Sequence, residues 1–478
     1  MRSKIYAPSA LLASAQLLSM TPVALGELKI DLNKPDTIKS AAKTVVKSLL
    51  KDYTDQRPLT PGILPSKYGF FEAGLFFNTI LDYAAWTGDN TYNSYFEKDF
   101  FNQIGDGDNF LPANFSASLT NSDVGYWALT AMSAAEYGAN PADSSSPSYL
   151  TLAKNVFDNY VSRWDAKTCN GGLRESIFAA NNGYNIKDAE SNGAFFELAA
   201  RLGLNTGNKT YLDWATKVYD WTNSTGFISQ MENANGGQVY FSAPVEDNCQ
   251  QIDQTYSSAL QSNYIYGAAA MYSATKSQSW LDRAVFLAGF SAVTYFTPQS
   301  YVDDGSSQVA TEQACEYNNT CATDQKAGKS VMFRSLAAAI TLDKTKTILN
   351  RVSVQLNNSA LAASKSCTTD GNCGFNWSKQ MYNATEGTGV GEKMNAVECF
   401  LAILRVGNPV ANKQVFGSSP ATQPSTTQAP GSAPTASNPT SSGLPAPTAS
   451  GQPSGASFQA AGGFLSVLTF ISFLYLLL

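Results

Sequence analysis

The chain has no histidine among its 478 residues, so any acid–base or nucleophilic chemistry has to be built without imidazole. Ser-His-Asp triads, Cys-His dyads and HExxH zinc sites are thereby excluded. Carboxylates are the natural acids and bases that remain. Two carboxyl groups flanking a glycosidic bond are the arrangement they serve most directly, about 5–5.5 Å apart when one is a nucleophile and the other an acid/base. Acids on apolar helical runs are therefore the candidates. Asp123 sits in Asn121-Ser122-Asp123-Val124-Gly125-Tyr126-Trp127, and Glu72 and Asp82 share an earlier apolar run. Glu72 and Asp82 can line a cleft, or equally serve as caps and structural hydrogen-bonders. Trp127 stands four residues after Asp123 on one helical face, where an aromatic is a sugar contact or a core residue. Asp106-Gly107-Asp108-Asn109 opens like a calcium loop, but its twelfth position is Ala117 where glutamate is needed, which rules it out.

These groups need a scaffold, and the pattern is helical. Ile38, Ala41, Ala42, Val45, Val46, Leu49 and Leu50 keep the spacing of one helical face, with Asp36 or Thr37 as candidate N-cap. No comparable strand alternation runs through the chain. An internal repeat carries more information. Gly74-Leu75-Phe76-Phe77 leads to Thr87-Gly88-Asp89-Asn90-Thr91-Tyr92, and 119 residues later Gly193-Ala194-Phe195-Phe196 leads to Thr206-Gly207-Asn208-Lys209-Thr210-Tyr211. A degenerate third copy ends in Ala274-Thr275-Lys276-Ser277-Gln278-Ser279-Trp280. Each copy reads as an apolar helix, a turn, and a second helix whose aromatic packs back on the first. Such hairpins close into a toroid around one cleft or stack as an open array. A single domain over residues 27–416 fits either.

Composition bounds the setting. The chain is 44% hydrophobic and 15% charged, enough apolar material for a large core. A net charge of −6 with no basic run argues against a nucleic-acid surface. Residues 1–26 read as a signal peptide with Ala24-Leu25-Gly26 at the cleavage site. Residues 417–454 form a Ser/Thr/Pro-rich stalk. Residues 455–478 end in an uncharged apolar run, Phe464 to Leu478, which reads as a removable GPI-attachment signal with Ser454 as the anchor site. A transmembrane anchor is the alternative, but about 15 residues are short for a span. N-glycosylation acceptors occur at Asn114, Asn208, Asn223, Asn318, Asn357, Asn376 and Asn383. Seven cysteines in an exported chain point to disulfides. Cys315/Cys321 and Cys367/Cys373 can close small loops, Cys169 and Cys249 pair by elimination, and Cys399 is a buried free thiol in an apolar helix.

Beyond spacing, the motifs resemble a known family. Asp108-Asn109-Phe110-Leu111-Pro112 followed by Asn121 to Trp127 is similar to the active-site region of the fungal cell-wall α-1,6-mannanase family, glycoside hydrolase family 76, in its GPI-anchored wall-biogenesis branch. Further similar segments follow in order: Tyr68 to Gly74, Cys169 to Arg174, Asn181 to Asn185, Ser191-Asn192-Gly193, Glu312 to Cys321, Asp324-Gln325-Lys326 and Cys373 to Trp377. The resemblance implies an all-α (α/α)₆ toroid, a mannan-type polysaccharide or mannosylated GPI glycan as substrate, cell-wall glucan as a possible acceptor, and no cofactor or metal. It implies a hydrolase or transglycosylase at the cell membrane and wall, held to the membrane through a GPI lipid. Asp123 would be the acid/base, and Glu72, Asp82, Asn121, Trp127, Tyr184 and Asn192 would bind substrate. The family pattern is Asn-Asp-Asp-Gln, its first aspartate the nucleophile; here that position is Ser122, and Val124 replaces Gln. A serine with no base is a poor nucleophile, which opens a second reading: a glycan-binding wall protein without turnover. Glu175 and Glu190 stand where the family has uncharged residues, as substitute acids or as solvated charges.

Overall fold

The computed structural model describes residues 26–55, 60–65, 67–115, 117–230, 236–296 and 308–416. The expected signal peptide up to residue 25, the stalk, Ser454 and the C-terminal signal lie outside the described residues. Among the described residues twelve α-helices follow in order: α1 (Pro35–Asp55), α2 (Phe70–Thr87), α3 (Asn93–Asp99), α4 (Asn121–Glu136), α5 (Tyr149–Arg163), α6 (Ala189–Thr206), α7 (Lys209–Thr225), α8 (Ser258–Thr275), α9 (Gln278–Thr294), α10 (Gly328–Leu342), α11 (Thr347–Lys365) and α12 (Val390–Gly407). The even-numbered helices form an inner ring: each packs on the next, and α12 returns to α2. The ring is closed, so the open array is excluded and the (α/α)₆ toroid holds.

Burial separates the two layers. In α2 only Phe71 and Trp86 escape burial, as expected of a helix that is apolar on every side. The outer α1 buries one stripe, including the seven apolar residues named above. It starts at Pro35, ahead of the expected caps, because proline's fixed φ suits a first helical position. Thr37 instead accepts the Asp31 N–H at 2.9 Å. The repeat has a concrete basis. α2, α6 and α8 each stop at a left-handed residue, Gly88 (φ 80°), Gly207 (φ 69°) and Lys276 (φ 59°). Inner helices also approach closely: a Cβ on Gly193 would lie 2.7 Å from the Tyr264 ring of α8.

Two short antiparallel pairs decorate one end. β1 (Ile186–Asp188) pairs with β4 (Ser242–Pro244), and β2 (Ile228–Gln230) with β3 (Gly237–Val239). Disulfides join Cys169 to Cys249, Cys315 to Cys321 and Cys367 to Cys373, while Cys399 is free and buried. Asn114, Asn208, Asn223, Asn318 and Asn357 are exposed; Asn376 and Asn383 are half-buried.

Midway along and towards the C-terminal ends of the inner helices, arginines knit the ring together. Arg334 of α10 meets Asp82 of α2 at 2.6 Å and also pairs with Glu398 of α12. Arg201 of α6 meets Glu136 of α4 at 2.9 Å and Glu197 at 2.8 Å. Burial works against the Arg334 charge, but Glu398 and Asp82 more than offset it and hold the guanidinium well above its ordinary value.

Candidate active site

At the opposite end, residues from the first two turns of the inner helices surround a cavity of about 480 Å³. α2 contributes Phe71 and Leu75, α4 Ser122, Asp123 and Tyr126, α6 Glu190, α8 Leu260, and α10 Gly328 and Val331. Helix N-termini favour negative charge, and this cavity is acidic. Asp123, Glu175, Glu190 and Asp324 line it, with no Lys or Arg among the described lining residues. Phe71, Tyr126, Phe241 and Tyr256 add aromatic surface. Rings for flat apolar faces and carboxylates for hydroxyl groups make a hollow suited to sugar.

Asp123 is fixed by the start of its own helix. Its Oδ2 accepts the Thr120 N–H at 2.9 Å and the Thr120 hydroxyl at 2.8 Å, completing a capping box. Its Oδ1 accepts the Phe71 N–H of α2 at 3.3 Å. Burial raises its pKa against these donors, which favour the carboxylate. Beside it, the Ser122 hydroxyl lies 3.0 Å from that of Thr120. Across the hollow, Glu190 Oε1 accepts the Tyr126 hydroxyl at 3.0 Å. Burial, and then the charge of Asp188, push Glu190 up to about 8, so it holds a proton at neutral pH.

Glu175 reaches the cavity from a loop anchored at both ends. Its carbonyl accepts the Asn121 N–H at 2.8 Å, its own N–H donates to Ile186 at 2.9 Å, and Thr120 bridges Ser176. Burial, and then Asp123, raise its pKa. Upstream, Cys169, Asn170, Gly171 and Gly172 all have positive φ. That run turns carbonyls inward onto the fully buried Lys187, whose Nζ donates to Asp165 and Thr168 at 2.8 Å, to Gly172 at 3.2 Å and to Gly171. Burial pulls this ammonium down to about 8.

The expected substrate contacts disperse. Asp82 is in the arginine network and also accepts the Tyr137 hydroxyl at 2.6 Å. Trp127 is buried in an aromatic cluster and donates to the Phe70 carbonyl at 2.8 Å. Asn192 closes onto Leu173 and Asp188. Asn121 bonds Arg174 and Arg163, behind the cavity. Tyr184 lies under the Arg174 guanidinium, 4.5 Å from the ring centre. Glu72 caps α2 through the Gly69 N–H, and burial pushes it up to about 7. Of the expected set, Asp123 and Ser122 line the hollow, with the weighed acids Glu175 and Glu190. Sequence reasoning missed Tyr126, Tyr256 and Asp324 as lining residues. Tyr126 had a signal, four residues after Ser122 on the same helical face.

Comparison with known proteins bears on this geometry. The glycosyl hydrolase family 76 model matches residues 37–413. Mannan endo-1,6-alpha-mannosidase DCW1 of Saccharomyces cerevisiae is 34% identical over 386 residues, covering 80% of this chain and 82% of the relative. The DCW1 protein of Candida albicans is 33% identical over 373 residues, 77% of this chain and 80% of its own. The crystal structure of Dfg5 from Chaetomium thermophilum in complex with glucosamine superimposes with a TM-score of 0.71 at 32% identity, covering 78% of this chain and 92% of that one. An inactive variant of a Salegentibacter alpha-1,6-mannanase, with two consecutive aspartates changed to asparagine and alpha-1,6-mannotriose bound, shares the fold at a TM-score of 0.61 and 15% identity, over 77% of this chain and 99% of that one. With most of the chain matched and its inner helices closed around an acid-lined hollow, this protein belongs to glycosyl hydrolase family 76.

Proposed function

We propose that the protein is an exported cell-wall glycosidase or transglycosylase acting on α-1,6-mannan or mannosylated GPI glycans, with Asp123 as its acid/base. The observation that carries this reading is Asp123 held by Thr120 and Phe71 at the edge of an aromatic, acid-lined hollow. Its raised pKa suits a group that gives a proton to a leaving oxygen and later takes one from an incoming hydroxyl. The relatives named for mannan and the Salegentibacter enzyme holding mannotriose support the substrate class. Wall glucan fits as a further acceptor, since transfer needs only a second sugar hydroxyl at the same carbon. Residues 1–26, the stalk and a GPI lipid at Ser454 would deliver the domain to the outer membrane surface and wall.

Ser122 favours a second reading, a glycan-binding wall protein without turnover, because the residue beside Asp123 has no carboxylate. One experiment separates the two. The full chain is incubated with α-1,6-mannooligosaccharides, and shortened or transferred products are sought. Turnover that disappears in Asp123→Asn supports the enzyme. Binding without turnover, with turnover gained in Ser122→Asp, supports the silent homologue.

A further inference from the structure

Ser122 leaves the cavity without a carboxylate at one position, yet Glu175, Glu190 and Asp324 reach the same cavity from other segments, and of these Glu175 stands on the segment bridged to the start of α4. We propose that Glu175 supplies the nucleophilic carboxylate that position 122 lacks. This rests on the reading of the protein as an active glycosidase or transglycosylase.

Three observations carry it. Glu175 and Ser122 line the same hollow with Asp123. The Glu175 backbone is fixed one residue from Ser122: its carbonyl accepts the Asn121 N–H at 2.8 Å, and the adjacent Ser176 bridges Thr120. The bridged pair Thr120 and Ser176 stand about 4.5–5.5 Å apart, which sets the neighbouring Glu175 alongside the first turn of α4, where Ser122 lies. The segment is also unusually well held for a loop. Lys187 binds the carbonyls of the 165–172 turn, Arg174 pairs with Asp165 at 2.8 Å, and Cys169 is bonded to Cys249. A nucleophile needs that fixity, because misplacement of about 1 Å lowers rates roughly a hundredfold. Electrostatics agree, since Asp123 is the charge that most perturbs Glu175 after burial. Glu190 is a weaker candidate for the role: its Oε1 is engaged by the Tyr126 hydroxyl at 3.0 Å, and it stands on α6 rather than on the segment bridged to the start of α4.

The chemistry balances. A Glu175 oxygen bonds to the anomeric carbon as the glycosidic C–O bond breaks, and the leaving oxygen takes the proton of Asp123. The products are a glycosyl ester on Glu175, an Asp123 carboxylate and a free alcohol. Water or an acceptor hydroxyl then attacks the same carbon and gives its proton to Asp123. The ester bond breaks and the Glu175 carboxylate is restored. Two inversions leave the anomeric configuration unchanged.

The test uses the full chain with α-1,6-mannooligosaccharide, comparing wild type, Glu175→Gln, Glu175→Ala, Ser122→Asp and the Glu175→Gln/Ser122→Asp double variant, with oligosaccharide binding as the control for folding. The proposal expects Glu175→Gln to lose about 10³-fold or more in turnover while still binding sugar. It expects Ser122→Asp to restore turnover in the double variant, and azide added to Glu175→Ala to give a mannosyl azide of inverted configuration. Wild-type turnover that survives Glu175→Gln within a few-fold overturns the proposal and leaves the active-enzyme reading standing. A wild type that binds and never turns over, while Ser122→Asp gains activity, overturns both.

Discussion

The two ends of the ring hold acids in opposite company. Deep among the inner helices, Asp82 and Glu398 share Arg334, and Glu136 and Glu197 share Arg201. At the mouth, Asp123, Glu175, Glu190 and Asp324 face one cavity with no cation among its described lining residues. The deep acids have their charge balanced inside the protein, so they serve the fold. At the mouth, Asp123 is held by N–H and hydroxyl donors at a helix N-terminus, and Glu190 by the Tyr126 hydroxyl. Groups left in that condition are suited to exchanging protons with a ligand. Clustered acids are common to both regions, and what separates them is whether an arginine stands among them.

The largest expected effect breaks the deep network. Arg334→Met leaves Asp82 and Glu398 buried without their cation, and it should destabilise the domain by about 3–5 kcal/mol, read from a denaturant midpoint. A loss under about 1 kcal/mol would mean the pairing is incidental. Asp123→Asn should separate stability from activity. Weakening one capping box should cost about 1 kcal/mol or less, while products from α-1,6-mannooligosaccharide should fall about 10³-fold.

The pH dependence sharpens the contrast. Glu190 has a folded value of about 8 against an ordinary 4.5, raised by burial. The folded state therefore holds a proton that the unfolded chain releases above about 4.5. Its contribution is full below that pH and is lost as pH rises through 8. Melting should accordingly be higher at pH 5 than at pH 8.5, and Glu190→Gln should remove up to about 4 kcal/mol of that difference, at about 1.4 kcal/mol per pKa unit. An unchanged pH slope in the variant would contradict the assignment. Smallest is Tyr126→Phe. It removes the hydroxyl that favours the charged form of Glu190, so the titration should move upward, with a stability loss of about 1 kcal/mol or less. The carboxyl signal of Glu190 in a pH titration by NMR reads this directly.

Much of this was legible in the sequence, for local reasons. The stripe of α1 follows from 3.6-residue periodicity: all seven residues it named are buried, and Ser48 and Tyr53 join them. The hairpin repeat was visible because helix ends at Gly88 and Gly207 adopt left-handed backbone, which glycine favours, and it faded at Lys276, where a lysine takes the same conformation. Asp82 shows where local reading stops. An acid on an apolar helix looks the same whether it faces a cleft or an arginine, and its partner Arg334 lies 252 residues along the chain. Asn192 and Tyr184 belong to segments resembling the family, yet their side chains hold the loop that carries Glu175. Tyr256 reaches the hollow from the segment before α8, where neither periodicity nor motif marks it.

The most direct measurement is a crystal structure of the Asp123→Asn variant with an α-1,6-mannooligosaccharide. A sugar ring stacked on Phe71 or Tyr256, with its glycosidic oxygen within hydrogen-bond reach of position 123, is the expected result. Sugar bound only outside this hollow, with the acids at the mouth untouched, would contradict the account.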